Sequence, residues 1–103
     1  MKNFMWEILV PTMHYVSGNP IKTRFHRIWD AKVRALTGGL TIMPVAKGQW
    51  VNPNNVLFTE RMIPVRIMCS EEQIKEILPM TKKYYNQEAI MYYRISDCVE
   101  IYT

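Results

Sequence analysis

The chain is short of the residues from which most small-protein chemistry is built. It has two cysteines and two histidines. Cys69 and Cys98 lie at no spacing that a zinc site uses, and two cysteines are too few for the disulfide framework of a small secreted domain. His14 and His26 are separated by a loop and part of a helix, so no metal is expected. The four glycines form no phosphate-binding loop or dinucleotide fingerprint, and there is no nucleophile elbow. No apolar run approaches the roughly 18 residues that cross a bilayer. The opening Met-Lys-Asn-Phe-Met-Trp-Glu puts charge inside its apolar stretch, with no small-residue cleavage site after it. Neither a membrane span nor a secretory signal is expected, and the expected location is cytoplasmic.

What is present is a globular composition, 49% hydrophobic and 21% charged over 103 residues. That length predicts one domain, residues 1–103, small enough for a subunit interface to supply part of its stability. The net charge of +4 is placed unevenly. Lys22, Arg24, Arg27, Lys32 and Arg34 face only Asp30 in their own segment, while the remaining basic and acidic residues cancel. That segment could attract nucleic acid or another anion. A solvated helix face explains it as well, so nucleic acid is not the favoured partner.

Phe4 to Thr12 alternates as a strand, and Ser17-Gly18-Asn19-Pro20 marks a loop after it. Ile21, Phe25, Ile28, Trp29, Val33 and Leu36 recur at helical spacing, and Gly38-Gly39 closes that helix. Leu40 to Ala46 predicts a short strand interrupted by Pro44. Lys47 to Trp50 reads as a turn away from it, with a second turn at Asn52-Pro53-Asn54-Asn55. Val56 to Cys69 reads as a long strand kinked at Pro64. Ser70-Glu71-Glu72-Gln73 is a capping box that starts a second helix, which Pro79 should kink or shorten. Glu88 to Ile95 predicts the last strand, extended by Val99 to Tyr102 past a bulge.

The order strand, helix, strand, strand, helix, strand builds a four-stranded antiparallel sheet with two helices on one face, an α+β architecture. The other sheet face then has no cover within one copy. Strand parity assigns to it Met5, Glu7, Leu9, Met43, Glu60, Met62, Arg66, Met68, Tyr92 and Arg94, with Val65, Ile67 and Cys69 turned toward the helices. A face with that many methionines predicts an oligomer.

Glu60 is the one carboxylate of the central hairpin. It is either a surface glutamate paired with a neighbouring arginine or a fixed charge that grips a cationic ligand at a subunit boundary. Trp50 either packs over the hairpin or offers a platform for a flat ring. Tyr15, beside the turn after the first strand, could donate to a ligand.

Two resemblances follow from these residues. Gly39-Leu40-Thr41, Gly48-Gln49-Trp50, Glu60 and Gln87-Glu88-Ala89 resemble a family of small bacterial proteins of PII-like, ferredoxin-like βαββαβ fold, over roughly residues 37–102. Arg34-Ala35, Gly48-Gln49-Trp50, Thr59-Glu60, Val65-Arg66-Ile67-Met68-Cys69 and Gln87-Glu88 resemble the phage S-adenosylmethionine lyases over most of the chain. The second resemblance implies a PII-like trimer in a phage-infected host, with S-adenosylmethionine bound between subunits and no cofactor. It implies Glu60 as the essential carboxylate and substrate contacts from Trp50, Tyr15, Arg66 and Gln49. The chain departs from that pattern at Trp50, where the lyases carry a functional tyrosine. Three readings therefore stand: a lyase giving methylthioadenosine and homoserine lactone, a non-catalytic PII-like module that binds a nucleotide or small anion, and a macromolecule-binding basic helix.

Overall fold

The apolar periodicities become two helices packed on one face of a twisted sheet. A computed structural model describes residues 2–103. In chain order it contains β1 (Phe4–Pro11), α1 (Thr23–Thr37), β2 (Thr41–Ile42), β3 (Ala46–Val51), β4 (Leu57–Cys69), α2 (Glu71–Tyr84) and β5 (Tyr92–Ser96). All pairings are antiparallel, in the order β2-β4-β1-β5, with β3 also on β4. This is the expected ferredoxin-like α+β arrangement, with one change in the count. The second strand is divided into β2 and β3, which pair with successive stretches of β4 and give five strands where four were expected.

The helix-facing side forms the core. Trp6, Ile8 and Val10 of β1 and Val65, Ile67 and Cys69 of β4 are buried against Trp29 and Val33 of α1 and Ile74 and Ile77 of α2. The polar atoms carried into this layer are satisfied. Trp6 Nε1 donates to the Cys69 carbonyl, and Trp29 Nε1 donates to the Thr81 hydroxyl, which in turn donates to the Ile77 carbonyl. Among the described residues no buried side-chain nitrogen or oxygen lacks a partner. Burial pushes the Cys69 thiol up to about 11, so it behaves as an apolar core residue.

Local chemistry sets the helix ends. Gly38, with φ of 92°, takes the left-handed position after α1, and its amide donates to the Arg34 carbonyl. Ser70 and Gln73 form both bonds of the capping box at the start of α2. Pro79 does not end α2, which continues to Tyr84. Ile28 and Leu36, expected in the apolar stripe of α1, are exposed. The stripe is narrower than the sequence pattern suggests because Trp29 and Val33 alone fill the centre of the helix-sheet gap.

Two further expectations are corrected. The predicted turn at Lys47 to Trp50 is strand β3, paired Lys47↔Arg61, Gly48↔Glu60, Gln49↔Thr59 and Trp50↔Phe58. The turn lies at Asn52 to Asn55 alone, where Asn52 Oδ1 accepts from the Asn54 and Val56 amides and Asn55 adopts φ of 63°. In β5 Tyr92 pairs with Ile8, Tyr93 with Glu7 and Arg94 with Trp6, the reverse of the expected parity, and the register shifts only beyond them, between Trp6 and Met5. Tyr92 and Arg94 therefore lie on the helix side, where the Arg94 guanidinium stacks over Phe4 and Trp6. Tyr93 takes the open-face position. Residues 99–102 carry no strand.

Candidate functional site

β4 has two neighbours on one edge and only one on the other. β2 and β3 line one edge along most of its length, whereas β1 covers the opposite edge only from Met62 to Cys69. The β1 edge of residues 57–61 is consequently free of ladder partners. Beyond Pro11 the chain turns into the loop that carries His14 and Tyr15. The Thr12 hydroxyl donates to the Arg61 carbonyl at 2.8 Å, which fastens that loop beside β4. A Met13↔Pro20 bridge and the 2.8 Å bond from the His14 amide to the Asn19 carbonyl close it.

Two concavities meet at Glu60. The first, about 460 Å³, lies between this loop and β4 and is lined by His14, Tyr15, Thr59, Glu60, Arg61 and Gln87 among others. The second, about 590 Å³, lies over the hairpin and is lined by Leu9, Pro11, Gly48, Trp50, Glu60 and Met62, and also by Gln49, Gln87 and residues 89–91. Both volumes fall in the range of small-molecule sites. Strand alternation explains the second lining. Positions 58, 60 and 62 of β4 share a face with their partners Trp50, Gly48 and Ala46, and this face continues into Pro64 and Arg66 on the uncovered side of the sheet.

Glu60 is exposed and belongs to neither ion pair found among the described residues. The neighbouring Arg61 has the opposite strand parity and pairs across the ladder with Lys47. The Trp50 indole stacks on Phe58 with centroids 4.6 Å apart and planes at 16°. Trp50 and Phe58 are still 48% and 39% exposed, so the stacked pair remains accessible from solvent. Successive positions on one strand face are about 7 Å apart, so the Trp50-Phe58 pair and the Glu60 carboxylate can be reached together by one small molecule. Tyr15 is exposed, and the Glu88 carboxylate, as hydrogen-bond acceptor and as charge, raises its hydroxyl above the usual phenol range.

The structure thus brings together Glu60, Trp50, Gln49 and, across the first cavity, Tyr15. It places Arg66 elsewhere. Arg66 is six residues along β4 from Glu60, about 20 Å away at strand rise. There its Nε donates to Glu7 Oε1 at 3.0 Å, and the Tyr93 hydroxyl donates to the other Glu7 oxygen. Glu7 is only 7% exposed although it faces the uncovered side of the sheet. This Glu7-Arg66-Tyr93 cluster went unread in the sequence because alternation within residues 88–95 does not say which set faces the helices, and Tyr92 rather than Tyr93 was assigned to the open face. Phe58 and Met62 were also missed as site residues. Reading Asn52 to Asn55 as a hairpin turn flanked by Trp-Val and Val-Leu-Phe would have paired Trp50 with Phe58.

Among the described residues no group of three or more histidine, cysteine, aspartate or glutamate side chains converges as a metal site. No helix among them is long and apolar enough to cross a membrane.

No protein-family model and no curated protein sequence matches the chain. Its fold, however, is shared with solved structures. CutA from Xylella fastidiosa matches with a TM-score of 0.71 and 10% identity, covering 98% of this chain and 88% of its own. CutA1 from Oryza sativa matches at 0.69 with 9% identity, covering 98% and 83%. A phage S-adenosylmethionine lyase in complex with S-methyl-5'-thioadenosine matches at 0.63 with 13% identity, covering 92% and 81%. At these identities the likeness establishes the fold, a PII-like variant of the ferredoxin-like sheet.

Proposed function

We propose that this chain is an oligomeric PII-like module that binds a small nucleoside-like metabolite around Glu60, where a second copy covers the hairpin. The observation that carries this reading is the placement of Glu60: a carboxylate with no ion pair among the described residues, at the wall shared by two cavities, one strand step from an exposed aromatic pair. A charge held on a strand grips a cationic group in a defined position, and an exposed indole supplies a stacking surface for a flat ring.

The oligomer is supported by the same hairpin. Trp50, Val51, Val56, Leu57 and Phe58 are all exposed, next to the stretch of β4 whose edge is unpaired. Apolar arms and open strand edges are seldom left in water. A trimer is the expected assembly, and sedimentation analysis across a concentration series checks it. A monomer at every concentration contradicts this part of the reading.

One observation favours a second, catalytic reading: the phage lyase of the same fold was solved with methylthioadenosine. In the lyase reaction the substrate's own carboxylate oxygen attacks its γ-carbon, a C–O bond forms, the C–S bond breaks, and its electron pair leaves with sulfur as a neutral thioether. The products are methylthioadenosine and homoserine lactone. The sulfonium is already a leaving group and no proton needs to move, so the protein's task is to fold the substrate into attack geometry.

Chemistry also decides what Glu60 would grip. The sulfonium charge is annihilated during the reaction, so a carboxylate on sulfur would stabilise the ground state more than the transition state. The ammonium keeps its charge throughout, and Glu60 is therefore assigned to it. Trp50 has no hydroxyl to offer in place of the lyases' tyrosine, and Tyr15 is the candidate to supply one.

Incubating the purified protein with S-adenosylmethionine and separating the products by chromatography tests both readings. Methylthioadenosine with homoserine lactone supports the lyase. Saturable binding without product supports the module, and no binding of S-adenosylmethionine or methylthioadenosine removes the site.

A further inference from the structure

The larger cavity has an unusual floor. Gly48 sits in the middle of β3, directly opposite Glu60, on the same strand face as Ala46 and the cavity-lining Trp50. Its backbone is ordinary strand, with no positive φ that would call for glycine. A glycine in a strand interior weakens the strand and packs nothing, and it commonly marks a place where something else must come close. What comes close here is Met62. A Cβ built on Gly48 would lie 2.6 Å from Met62 Cε, far inside van der Waals contact, and 4.0 Å from the Glu60 carbonyl oxygen. The tip of the thioether chain occupies the space that any side chain at position 48 would fill.

We infer that Gly48 and Met62 together form an adjustable floor that sets which ligands the Glu60-Trp50 cavity admits. Because position 48 is bare, the Met62 methyl can lie down over β3, leaving the space between the Trp50 ring and the Glu60 carboxylate free. Methionine suits this position because it is unbranched and polarisable, so its tip can shift to meet the ligand. The class of ligand follows from the spacing. A flat heteroaromatic ring on Trp50 and a cationic arm at Glu60 are separated by about one side-chain repeat of a strand, about 7 Å, with an uncharged bridge crossing Gly48 and Met62. A nucleoside with a positively charged 5′ substituent has that form. A side chain at position 48 would push the flexible Met62 tip out of that space, and on this inference the displaced tip then occupies the path of the bridge.

The inference rests on the site proposed above, and its test separates the two. S-adenosylmethionine is titrated by calorimetry into the full chain, its Gly48→Ala and Met62→Ala variants, and the double variant. Gly48→Ala is expected to weaken binding at least tenfold in the parent protein and less than threefold in the Met62→Ala background. Unchanged binding by Gly48→Ala overturns the inference while leaving the site intact. An equal loss from Gly48→Ala in both backgrounds overturns the role of Met62. If the parent protein binds neither S-adenosylmethionine nor methylthioadenosine, the site itself fails and the inference with it.

A ligand-free readout keeps the geometry testable. In the parent protein the Met62 methyl resonance should show a nuclear Overhauser contact to the Gly48 α-protons, and it should shift in Gly48→Ala. Absence of that contact contradicts the floor.

Discussion

The two halves of β4 make unlike use of one strand. From Ile63 to Cys69 it pairs with β1 throughout and with β2 at Val65 and Arg66, and its inward side chains Val65, Ile67 and Cys69 are 2% exposed or less. From Leu57 to Arg61 it has a partner on one edge only, and Leu57 and Phe58 are 59% and 39% exposed. The inner half holds the fold together. The outer half carries apolar surface, an open edge and a carboxylate without an ion-pair partner among the described residues, features that lower the stability of a lone copy and gain a purpose when a ligand or second copy arrives. Substitutions should therefore sort by position along the strand, with stability lost on one side of Pro64 and binding lost on the other.

The largest expected effect is in the inner half. Ile67→Ala removes a fully buried side chain and should cost about 2 to 5 kcal/mol of folding stability, read from denaturant unfolding. A loss under about 1 kcal/mol would mean that this half is not the core. Trp50→Ala should do the reverse, leaving stability nearly unchanged while weakening ligand binding roughly tenfold, which corresponds to a lost stacking contact of about 1 to 1.5 kcal/mol. If Trp50→Ala unfolds the protein instead, the two halves are not separate in function.

Smaller effects sharpen the same division from the helix side. Ser70→Ala deletes the capping-box acceptor and should cost about 1 kcal/mol of stability with no change in ligand affinity. Reduced affinity in this variant would couple α2 to the hairpin. The smallest effect is a pH dependence at His26, whose Nδ1 lies 2.7 Å from the buried Tyr85 hydroxyl. Burial lowers its pKa, with Asp30 opposing and the His14 charge reinforcing the shift. The unfolded chain then binds more protons than the folded one as pH falls below about 6.5. Stability should decline through pH 6.5 toward 5.5, and that decline should shrink in His26→Gln. Asp30, raised by burial, acts in the opposite direction, since its folded form then holds protons more tightly than the unfolded chain. An equal decline in both proteins would assign the pH dependence elsewhere.

Much of the inner half was legible in the sequence. Alternation in β1 and β4 named the side chains that meet the helices, and Ser70 to Gln73 fixed the start of α2, because burial on one face and a capping box both leave short-range patterns. The outer half was harder to read. Lys47 to Trp50 looks like a turn because glycine and polar residues normally mark one, yet it is a strand held by its ladder to β4, a long-range pairing that composition does not reveal. Tyr93 lies on the face opposite to the expected one because alternation alone leaves the parity of β5 open, so the third member of the Glu7-Arg66 cluster was missed. Glu60 was singled out as the hairpin's one carboxylate, but whether Arg61 neutralises it depended on strand parity. The proline kink at Pro64 leaves the parity of the residues before it open in the sequence.

The most direct test of the central claim compares two ligands that differ in charge. S-adenosylmethionine carries the ammonium and sulfonium, whereas methylthioadenosine keeps the nucleoside and loses both. Titrating each into the parent protein and Glu60→Gln should show S-adenosylmethionine affinity falling at least tenfold in the variant, with methylthioadenosine affinity unchanged within about twofold, since removing one close, partly exposed charge contact costs on the order of 1 to 2 kcal/mol. Equal affinity of Glu60→Gln and the parent protein for S-adenosylmethionine would contradict the claim that this carboxylate grips a cationic metabolite.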